Sequence, residues 1–340
     1  MDLRRATTEL ARRVHALEEP VLRLLSAAAT RAWRGLASND GSAAARMGLA
    51  LSILDTPSTW GCGTIDNALD GRLSTFARAT ESIEDLLDDA RPACAREMER
   101  WSALDNVPAD REGDMPFEHA DEIVLDEVFE RHLPTSFAHT SGAASYRASQ
   151  HQTAREVART LGTRELLLVH APTGTGKTLA YLVPALLWSR RHDVRIGIAT
   201  YTRALQEQAL DREVPRALAA LAHAGVAPGT RVSILKGRDN YLCWRALKTS
   251  VPEDETGESW LAWTQLAVFA MTDLESDLDR LPRRAPIRLT SGTTYQKSLE
   301  SLLRTVRGQS GCCTHKADRV ACGAEVARKR AEKSHVVLVN

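Results

Sequence analysis

The sequence predicts an α/β protein in which a parallel sheet follows a long helical region. Three observations lead to this fold class. Short apolar runs alternate with helical stretches between residues 165 and 237, a glycine-rich loop joins the first run to a helix, and residues 1–133 show helical apolar spacing. A chain of 340 residues, 43% of them hydrophobic, is long enough for two or three domains.

The first part of the chain, residues 1–140, is predicted to be an all-helical accessory domain. Helical apolar spacing runs through 7–37 with a break at Pro20, through 81–105 with a break near Pro92, and through 121–133. Residues 134–145 are small, polar and without period, so we predict a linker there.

The stretch IVLDE at 123–127 imitates the acidic end of a Walker B strand through Asp126 and Glu127. It precedes the glycine-rich loop and lies in helical, acidic sequence. We therefore interpret these two carboxylates as part of a solvated helix face.

After the linker, the pattern changes from helical to alternating. Apolar runs at 165–170, 195–200 and 231–237 are predicted strands, and the helical stretches 177–191 and 203–225 separate them. This alternation is typical of strands that lie parallel in one sheet.

The glycine-rich loop, HAPTGTGKT at 170–178, has the sequence of a phosphate-binding loop. Gly174 and Gly176 allow a tight curl that points backbone N–H groups at phosphate oxygens. Lys177 is expected to reach the β- and γ-phosphates, and Thr178 to bind Mg²⁺. We predict that ATP contacts the whole loop, which comprises Ala171, Pro172, Thr173, Gly174, Thr175, Gly176, Lys177 and Thr178.

Two flanking motifs narrow the class of nucleotide-binding protein. YRASQ lies upstream of the loop, and IATYTRALQEQ ends the second predicted strand. Together with the loop they resemble superfamily 2 helicases, and most closely the DinG/XPD-like group. The resemblance implies a P-loop RecA-like domain at 141–237 that binds ATP and Mg²⁺, with Arg147 and Gln150 at the adenine. It also implies that Thr200, Thr202 and Gln208 contact the backbone of single-stranded DNA.

The same group carries a helical insertion with four cysteines around a [4Fe–4S] cluster, and residues 238–335 resemble it. KGRDNYLC matches the phrase that precedes the first ligand, which implies Cys243. CGAEVARKRAEKSHVVLVN matches the stretch after the last ligand, which implies Cys322. Cys312 and Cys313 are the candidates for the two middle ligands.

The middle pair departs from the family pattern, because Cys312 and Cys313 are adjacent and Lys316 stands at the expected third-ligand position. Adjacent side chains point apart in most backbone conformations, which makes binding two corners of a cluster awkward. Three interpretations stay open: an unusual cluster, a cluster-free domain that keeps the fold, or a zinc site or disulfide.

Residues 336–340 are expected to begin the next strand of the RecA-like sheet. The family pattern continues with a DEAH box, which supplies the catalytic carboxylates, and with a second RecA-like domain. The chain as given ends at Asn340. We therefore expect it to lack both parts and to bind ATP with little or no hydrolysis.

The formal net charge is zero, but the two parts of the chain differ. Residues 1–140 hold 15 Lys and Arg against 25 Asp and Glu, whereas residues 141–340 hold 29 against 19. The basic part suits a polyanionic partner such as nucleic acid, and two ordinary solvated surfaces explain the charge equally well.

No apolar run reaches the ~18 residues of a membrane span. The start of the chain does not resemble a secretory signal, so we expect a cytoplasmic protein with no membrane partner.

A helical domain ahead of a DinG-like motor also resembles the CRISPR-associated DinG of type IV systems. The resemblance implies an ATP-dependent 5′→3′ DNA helicase that acts on single-stranded or forked DNA, with a CRISPR ribonucleoprotein as partner. The alternatives are a fragment of a DinG-like repair helicase, a docking module that binds nucleotide and DNA without turnover, and a P-loop ATPase of another class.

Overall fold

The computed structural model of the protein describes the greater part of the chain. The described residues are 82–135, 146–172, 174–253, 257–281, 292–309 and 321–340, with Pro20, Arg23, Leu24, Ala27, Ala28 and Arg31. The helix predicted at 7–37 falls mostly outside them, as do residues 136–145 of the predicted linker and the pair Cys312 and Cys313.

Helices make up most of the described residues. In chain order the elements are α1 (Ile83–Asp89), α2 (Ala93–Ser102), α3 (His119–Glu127), α4 (Ala148–Thr163), α5 (Lys177–His192), β1 (Ile196–Ala199), α6 (Arg203–Gln208), α7 (Val214–His223), β2 (Val232–Leu235), α8 (Trp244–Lys248), α9 (Gly257–Thr272), α10 (Gly292–Val306), α11 (Gly323–Glu332) and β3 (Val336–Val339). The helices predicted at 81–105 and 121–133 are confirmed, and Pro92 separates α1 from α2.

The chain divides into two compact units. The first consists of residues 1–100 and 237–326, and the second of residues 101–236 and 327–340. The domain boundaries predicted from the sequence stay predictions.

The second unit contains a parallel sheet with the strand order β1-β3-β2. Ile196 and Val232 both align with Val336, so the two outer strands run level with the central one. β3 has the sequence VVLV and is buried except at its last residue, as expected for a central parallel strand with covered faces. The strands predicted at 195–200, 231–237 and the C-terminal end are confirmed.

The apolar run at 165–170 differs from its prediction. It forms no strand, and the side chains of Leu166 and Leu168 are 97% and 94% exposed. An extended segment becomes a strand only when its N–H and C=O groups pair with a neighbour. Within the described ranges, none of the three strands pairs with this run, so its apolar composition alone does not make it one.

Helix α5 lies at the centre of the second unit's core. Of the eleven residues from Leu179 to Ser189, ten are buried, and Tyr181 is half-buried. They pack with the faces of α3, α7 and the sheet, including Leu125, Leu221 and Leu338. Burial on this scale stabilises the unit by roughly 1.5–3 kcal/mol for each large apolar side chain. The loop that precedes α5 is thereby attached to a rigid helix.

Residues 101–110, which we call the edge segment, pass the N-terminal ends of the three strands. Ala109 forms a parallel bridge with Val194, just ahead of β1. Basic side chains that precede each strand donate to main-chain carbonyls of the edge segment: Arg195 to Pro108, Arg231 to Asn106, and Lys333 to Leu104. The guanidinium of Arg330 also lies over the ring of Trp101. Cationic donors therefore hold an otherwise exposed stretch of chain against the sheet.

The first unit is helical, and α9 is its most buried element. From Trp260 to Met271 every residue is buried, which explains why this helix has no polar face. Its polar groups are satisfied internally, since Trp263 donates to the Leu247 carbonyl at 3.1 Å and Tyr295 donates to Gln265. No helix in the described part of the chain has the length and apolarity needed to cross a membrane.

Candidate nucleotide-binding and DNA-contacting site

The predicted phosphate loop has the backbone geometry that its glycines allow. Gly174 and Gly176 have φ angles of +82° and +80°, in the left-handed region that side chains disfavour. Gly176 is the N-cap of α5, so the loop leads directly into the N-terminus of a 16-residue buried helix. The first N–H groups of such a helix and its dipole favour an anion. Thr173 lies outside the described residues.

Lys177 curls back over its own loop. Its Nζ donates to the carbonyl oxygens of Ala171 at 2.8 Å and of Pro172 at 3.0 Å. Thr175 also donates to the Pro172 carbonyl, at 3.0 Å. Thr178 lies half-buried in the first turn of α5. The ammonium group is exposed and, among the described residues, is bound to carbonyl oxygens that a phosphate oxygen can replace.

Arg147 and Gln150, predicted to read the adenine, both contact the loop. Arg147 Nη1 donates to the Gly174 carbonyl at 3.0 Å, and the buried Gln150 donates from Nε2 to the Gly176 carbonyl at 2.8 Å. These bonds join positions 27 and 26 residues apart. The structure therefore brings the upstream motif and the glycine-rich loop together.

Sequence reasoning missed a polar network next to this motif. The buried His151 lies 2.8 Å from Asp126 Oδ1 through Nε2 and 3.0 Å from the Tyr146 hydroxyl through Nδ1. Arg155 donates to both oxygens of Asp126, at 2.8 and 2.7 Å. The Arg155 hydrogen bond, helped by His151, holds the pKa of the Asp126 carboxyl below its ordinary value of 3.8. The interpretation of Asp126 as part of a solvated helix face is therefore incomplete, because its carboxylate holds His151 and Arg155. The only sequence feature that pointed to this network was the neighbouring R-x-x-Q motif, which is formed by Arg147 and Gln150.

Two of the residues predicted to contact DNA, Thr200 and Thr202, follow the C-terminal end of β1, and the third, Gln208, is the last residue of α6. Thr200 donates from Oγ1 to the Val339 carbonyl at 3.2 Å, and Thr202 caps α6 by accepting from the Leu205 N–H at 3.2 Å. Thr202 and Gln208 are exposed. Gln206, in the same motif, has a different place from these exposed residues. It is fully buried and donates to the Leu338 carbonyl of β3 at 2.8 Å, so it stabilises the fold.

Two predicted cluster ligands face each other in the first unit. Cys243 and Cys322 are partners in an antiparallel bridge, and both side chains are buried. Arg238 approaches Cys322 Sγ at 3.9 Å, and burial raises the pKa of the Cys322 thiol. These two thiols fit half of a four-thiolate site.

A third buried thiol, Cys94, was not predicted to take part. Burial raises the pKa of Cys94 to about 12, against a hydrogen bond with Ser276. Within the ranges that the structure describes, no group of three or more His, Cys, Asp or Glu side chains is arranged to hold a metal ion. The described thiols therefore supply at most part of a cluster site.

Comparison with known proteins agrees with this geometry. The family model DEAD/DEAH box helicase matches residues 147–236. The ATP-dependent helicase DinG of Mycobacterium tuberculosis is 37% identical over 135 residues, which cover 40% of this chain and 20% of that protein. The ATP-dependent DNA helicase YoaA of Escherichia coli is 41% identical over 102 residues, covering 30% and 15%. The 3′-5′ exonuclease DinG of Bacillus subtilis is 32% identical over 136 residues, covering 40% and 14%.

The chain thus matches a fifth or less of the length of these relatives. The family match begins at Arg147 and ends at Lys236, so it contains the whole phosphate loop, the R-x-x-Q motif and the predicted DNA-contacting motif. Residues 147–236 therefore match the DEAD/DEAH box helicase model, and the chain is similar to the N-terminal part of DinG-like helicases.

Proposed function

We propose that this chain binds ATP with Mg²⁺ and forms the nucleotide-binding part of an ATP-dependent DNA helicase of the DinG type. One observation carries the proposal: Arg147 and Gln150 are hydrogen-bonded to the glycine carbonyls of the loop that ends in Lys177. A chance glycine turn needs no such support from a distant motif.

ATP binding would exchange the contacts of Lys177. Its Nζ leaves the carbonyls of Ala171 and Pro172 and takes the β- and γ-phosphate oxygens, where charge assistance makes stronger hydrogen bonds. The N–H groups at the start of α5 bind the phosphates, and the Thr178 hydroxyl binds Mg²⁺. Arg147 and Gln150 take the adenine side of the site.

Single-stranded or forked DNA is the proposed second ligand. Thr200, Thr202 and Gln208 supply hydroxyl and amide groups that suit sugar-phosphate contacts without base reading. The 5′→3′ polarity, a CRISPR ribonucleoprotein partner and a cytoplasmic location belong to the same proposal and are supported by the resemblance to the family. A [4Fe–4S] cluster on Cys243, Cys312, Cys313 and Cys322 is part of it as well, supported by the facing pair Cys243 and Cys322.

A docking module that binds nucleotide and DNA without turnover is the alternative. Both functions use the same nucleotide contacts of Lys177, so the surroundings of this side chain do not separate them. DNA-dependent phosphate release separates the two functions. Release that rises with added single strand supports the helicase motor, and ATP binding without release supports docking.

The experiment that tests nucleotide binding is a titration of the chain with a fluorescent ATP analogue and Mg²⁺. Lys177→Ala should weaken binding about tenfold or more, because the charge that meets the phosphates is lost. Lys329→Ala, which removes a lysine that pairs with Glu332 on α11, is the matched control and should bind like the wild type. Equal affinity of Lys177→Ala and the control would overturn the assignment.

The cluster is tested by anaerobic purification. An absorbance band at about 400 nm, with about four irons per chain, would support the cluster. A colourless, iron-free and stably folded protein would show that the domain persists without the metal.

A further inference from the structure

A cavity of about 330 Å³ lies in the second unit, at the C-terminal end of helix α5. Its walls come from α3, the last turns of α5 and the loop that follows α7, and include Val124, Leu187, Arg190, Arg191, Val226 and Ala227. Lys177 and Arg190 lie near opposite ends of the 16-residue helix α5, ~20 Å apart along its axis. The cavity is therefore separate from the proposed nucleotide site.

The two arginines of the cavity differ in their partners. Arg191 donates from Nε to the buried carboxylate of Asp121 at 2.7 Å, so its charge is neutralised. The Nε of Arg190 is buried, and among the described residues it has no hydrogen-bond partner. A guanidinium keeps its charge at any ordinary pH, and burying one of its N–H groups without a partner costs free energy. The wall of the cavity therefore holds one cation with an unused donor.

The Arg190 guanidinium is held by the loop above it. A Cβ atom built on Gly229 would lie 3.7, 3.8 and 3.9 Å from Nη2, Nε and Cζ of Arg190. Three distances so similar place Gly229 mainly above the guanidinium plane. The start of this loop is fixed in turn, since the Val226 N–H donates to the Leu221 carbonyl at 2.9 Å. Guanidinium N–H groups point outward within the plane, so a covered face orients the group without using its donors.

The size of the cavity favours an organic ligand over a bare inorganic ion. Its volume lies at the lower end of the range for small-molecule sites, ~300–1,000 Å³. One water molecule occupies only ~30 Å³ of liquid, so a simple ion would leave most of the space unfilled. Val124, Leu187 and Val226 give the cavity apolar walls that can cover the body of a small organic molecule.

The charge at the cavity favours a carboxylate. The unused Arg190 donor belongs to a single positive charge, and the carbonyl groups at the C-terminal end of α5 carry partial negative charge. A phosphate ester, with a charge of about −1.5 to −2, exceeds what one guanidinium neutralises there. A carboxylate carries one negative charge and matches the donor geometry of a guanidinium. The adjacent pair of Arg191 and Asp121 shows this combination within the same wall.

We propose that this cavity binds a small organic carboxylate, with the carboxylate on Arg190 and the apolar body against Val124, Leu187 and Val226. The site goes beyond the proposed nucleotide and DNA contacts and does not depend on them. The competing explanation is that Arg190 only offsets the dipole of α5 and donates to water.

The test is a titration of the whole chain, without nucleotide, by saturation-transfer NMR with benzoate as the probe. Benzamide has the same shape without the charge, and it should bind at least about tenfold more weakly. Inorganic phosphate should also bind more weakly than benzoate, because it offers no apolar body. Equal binding of benzamide would overturn the role of the charge, and equal binding of phosphate would overturn the choice of an organic ligand.

Two variants locate the bound probe. Arg190→Gln should weaken benzoate about tenfold or more, because the charged donor is lost. Ala227→Phe keeps the guanidinium and fills part of the cavity from an exposed position, so it should weaken benzoate in a folded protein. Arg212→Gln, at an exposed arginine of the same unit outside the cavity wall, is the matched control and should bind like the wild type.

Circular dichroism shows which variants are folded, and Ala227→Phe decides the outcome if Arg190→Gln is not. Benzoate binding that both cavity variants weaken and the control retains would support the site. Absence of benzoate binding to the wild type would overturn it and leave Arg190 as a hydrated helix-end cation. Equal affinity in the wild type and the folded cavity variants would overturn it as well.

Discussion

The side-chain amide of Gln150 donates a 2.8 Å hydrogen bond to the main-chain carbonyl of Gly176. Gly176 is the last residue before helix α5 and has a φ of +80°. A Cβ atom built on it would lie 2.1 Å from Gln150 Nε2. The glycine is therefore required twice, once by its backbone angle and once by the amide that approaches it.

Alanine substitutions in the loop separate these two requirements. Gly174 has a similar φ of +82° but no atom within 4 Å of an added Cβ. Gly174→Ala should cost about 1–2 kcal/mol from backbone strain alone. Gly176→Ala should cost about 1 kcal/mol more, because Gln150 must move and lose its hydrogen bond.

Urea unfolding gives both free energies, with Gly197→Ala as the control. Gly197 lies in β1, has an ordinary backbone angle and has nothing within 4 Å of its Cβ position, so its substitution should not destabilise the protein. If the Gly176→Ala protein were as stable as the Gly197→Ala protein, the expected cost of placing a side chain at Gly176 would be wrong.

The buried imidazole of His335 predicts a dependence of stability on pH. Its Nδ1 accepts from the Arg231 N–H at 3.1 Å, and its Nε2 lies 3.0 Å from Asp193. Burial, with the Arg231 charge, lowers the pKa of His335 below its ordinary value of 6.5, against the effect of Asp193. The unfolded chain then takes up a proton at a higher pH than the folded one. This contribution to stability is complete above about pH 6.5 and is lost as the pH falls through the lowered pKa.

Urea unfolding at about pH 8 and about pH 5.5 measures this effect. His335→Gln should lose less stability than the wild type between the two conditions. His119→Gln, at a histidine whose side chain is 87% exposed, should behave like the wild type. The same pH dependence in all three proteins would exclude His335 as its source.

The edge segment depends on cationic donors. Lys333 is 8% exposed and donates to the Leu104 carbonyl. Lys333→Ala should destabilise the protein by about 1–3 kcal/mol, since a hydrogen bond from a charged group is lost. It should also speed limited proteolysis between residues 101 and 110.

Lys329→Ala is again the matched control, because Lys329 is 34% exposed and its partner in the described part of the chain is a helix neighbour, Glu332. Its effect should stay within about 0.5 kcal/mol. Cleavage of the edge segment at the same rate in both variants would show that Lys333 does not hold it.

The buried thiols should resist alkylation in the folded protein. A pKa of about 12 for Cys94, against an ordinary 9.0, leaves roughly a thousandfold less thiolate at a given pH. Iodoacetamide should leave Cys94 and Cys322 unmodified until urea unfolds the chain, as read by mass spectrometry of their peptides. Rapid native modification of Cys94, at a rate near that of free glutathione in the same tube, would contradict the burial.

The sequence by itself determined the parts of the protein whose chemistry is local. The spacing of Gly174, Gly176, Lys177 and Thr178 specifies a loop that enters a helix, because positive φ angles and a helix N-terminus are properties of neighbouring residues. The mostly apolar runs at 196–199, 232–235 and 336–339 form the parallel strands that their composition predicts, and the central run, 336–339, is the most buried of the three.

Only the tertiary structure decided which distant groups meet. The pairs Asp126 with His151 and Lys333 with Leu104 are 25 and 229 residues apart, and no local pattern encodes either. The run at 165–170 has the composition of a strand but pairs with none of the described strands, because a ladder requires a neighbour as well as a propensity. Local residue chemistry sets what a segment can form, whereas packing of several elements sets which donors and acceptors come within 3 Å of each other.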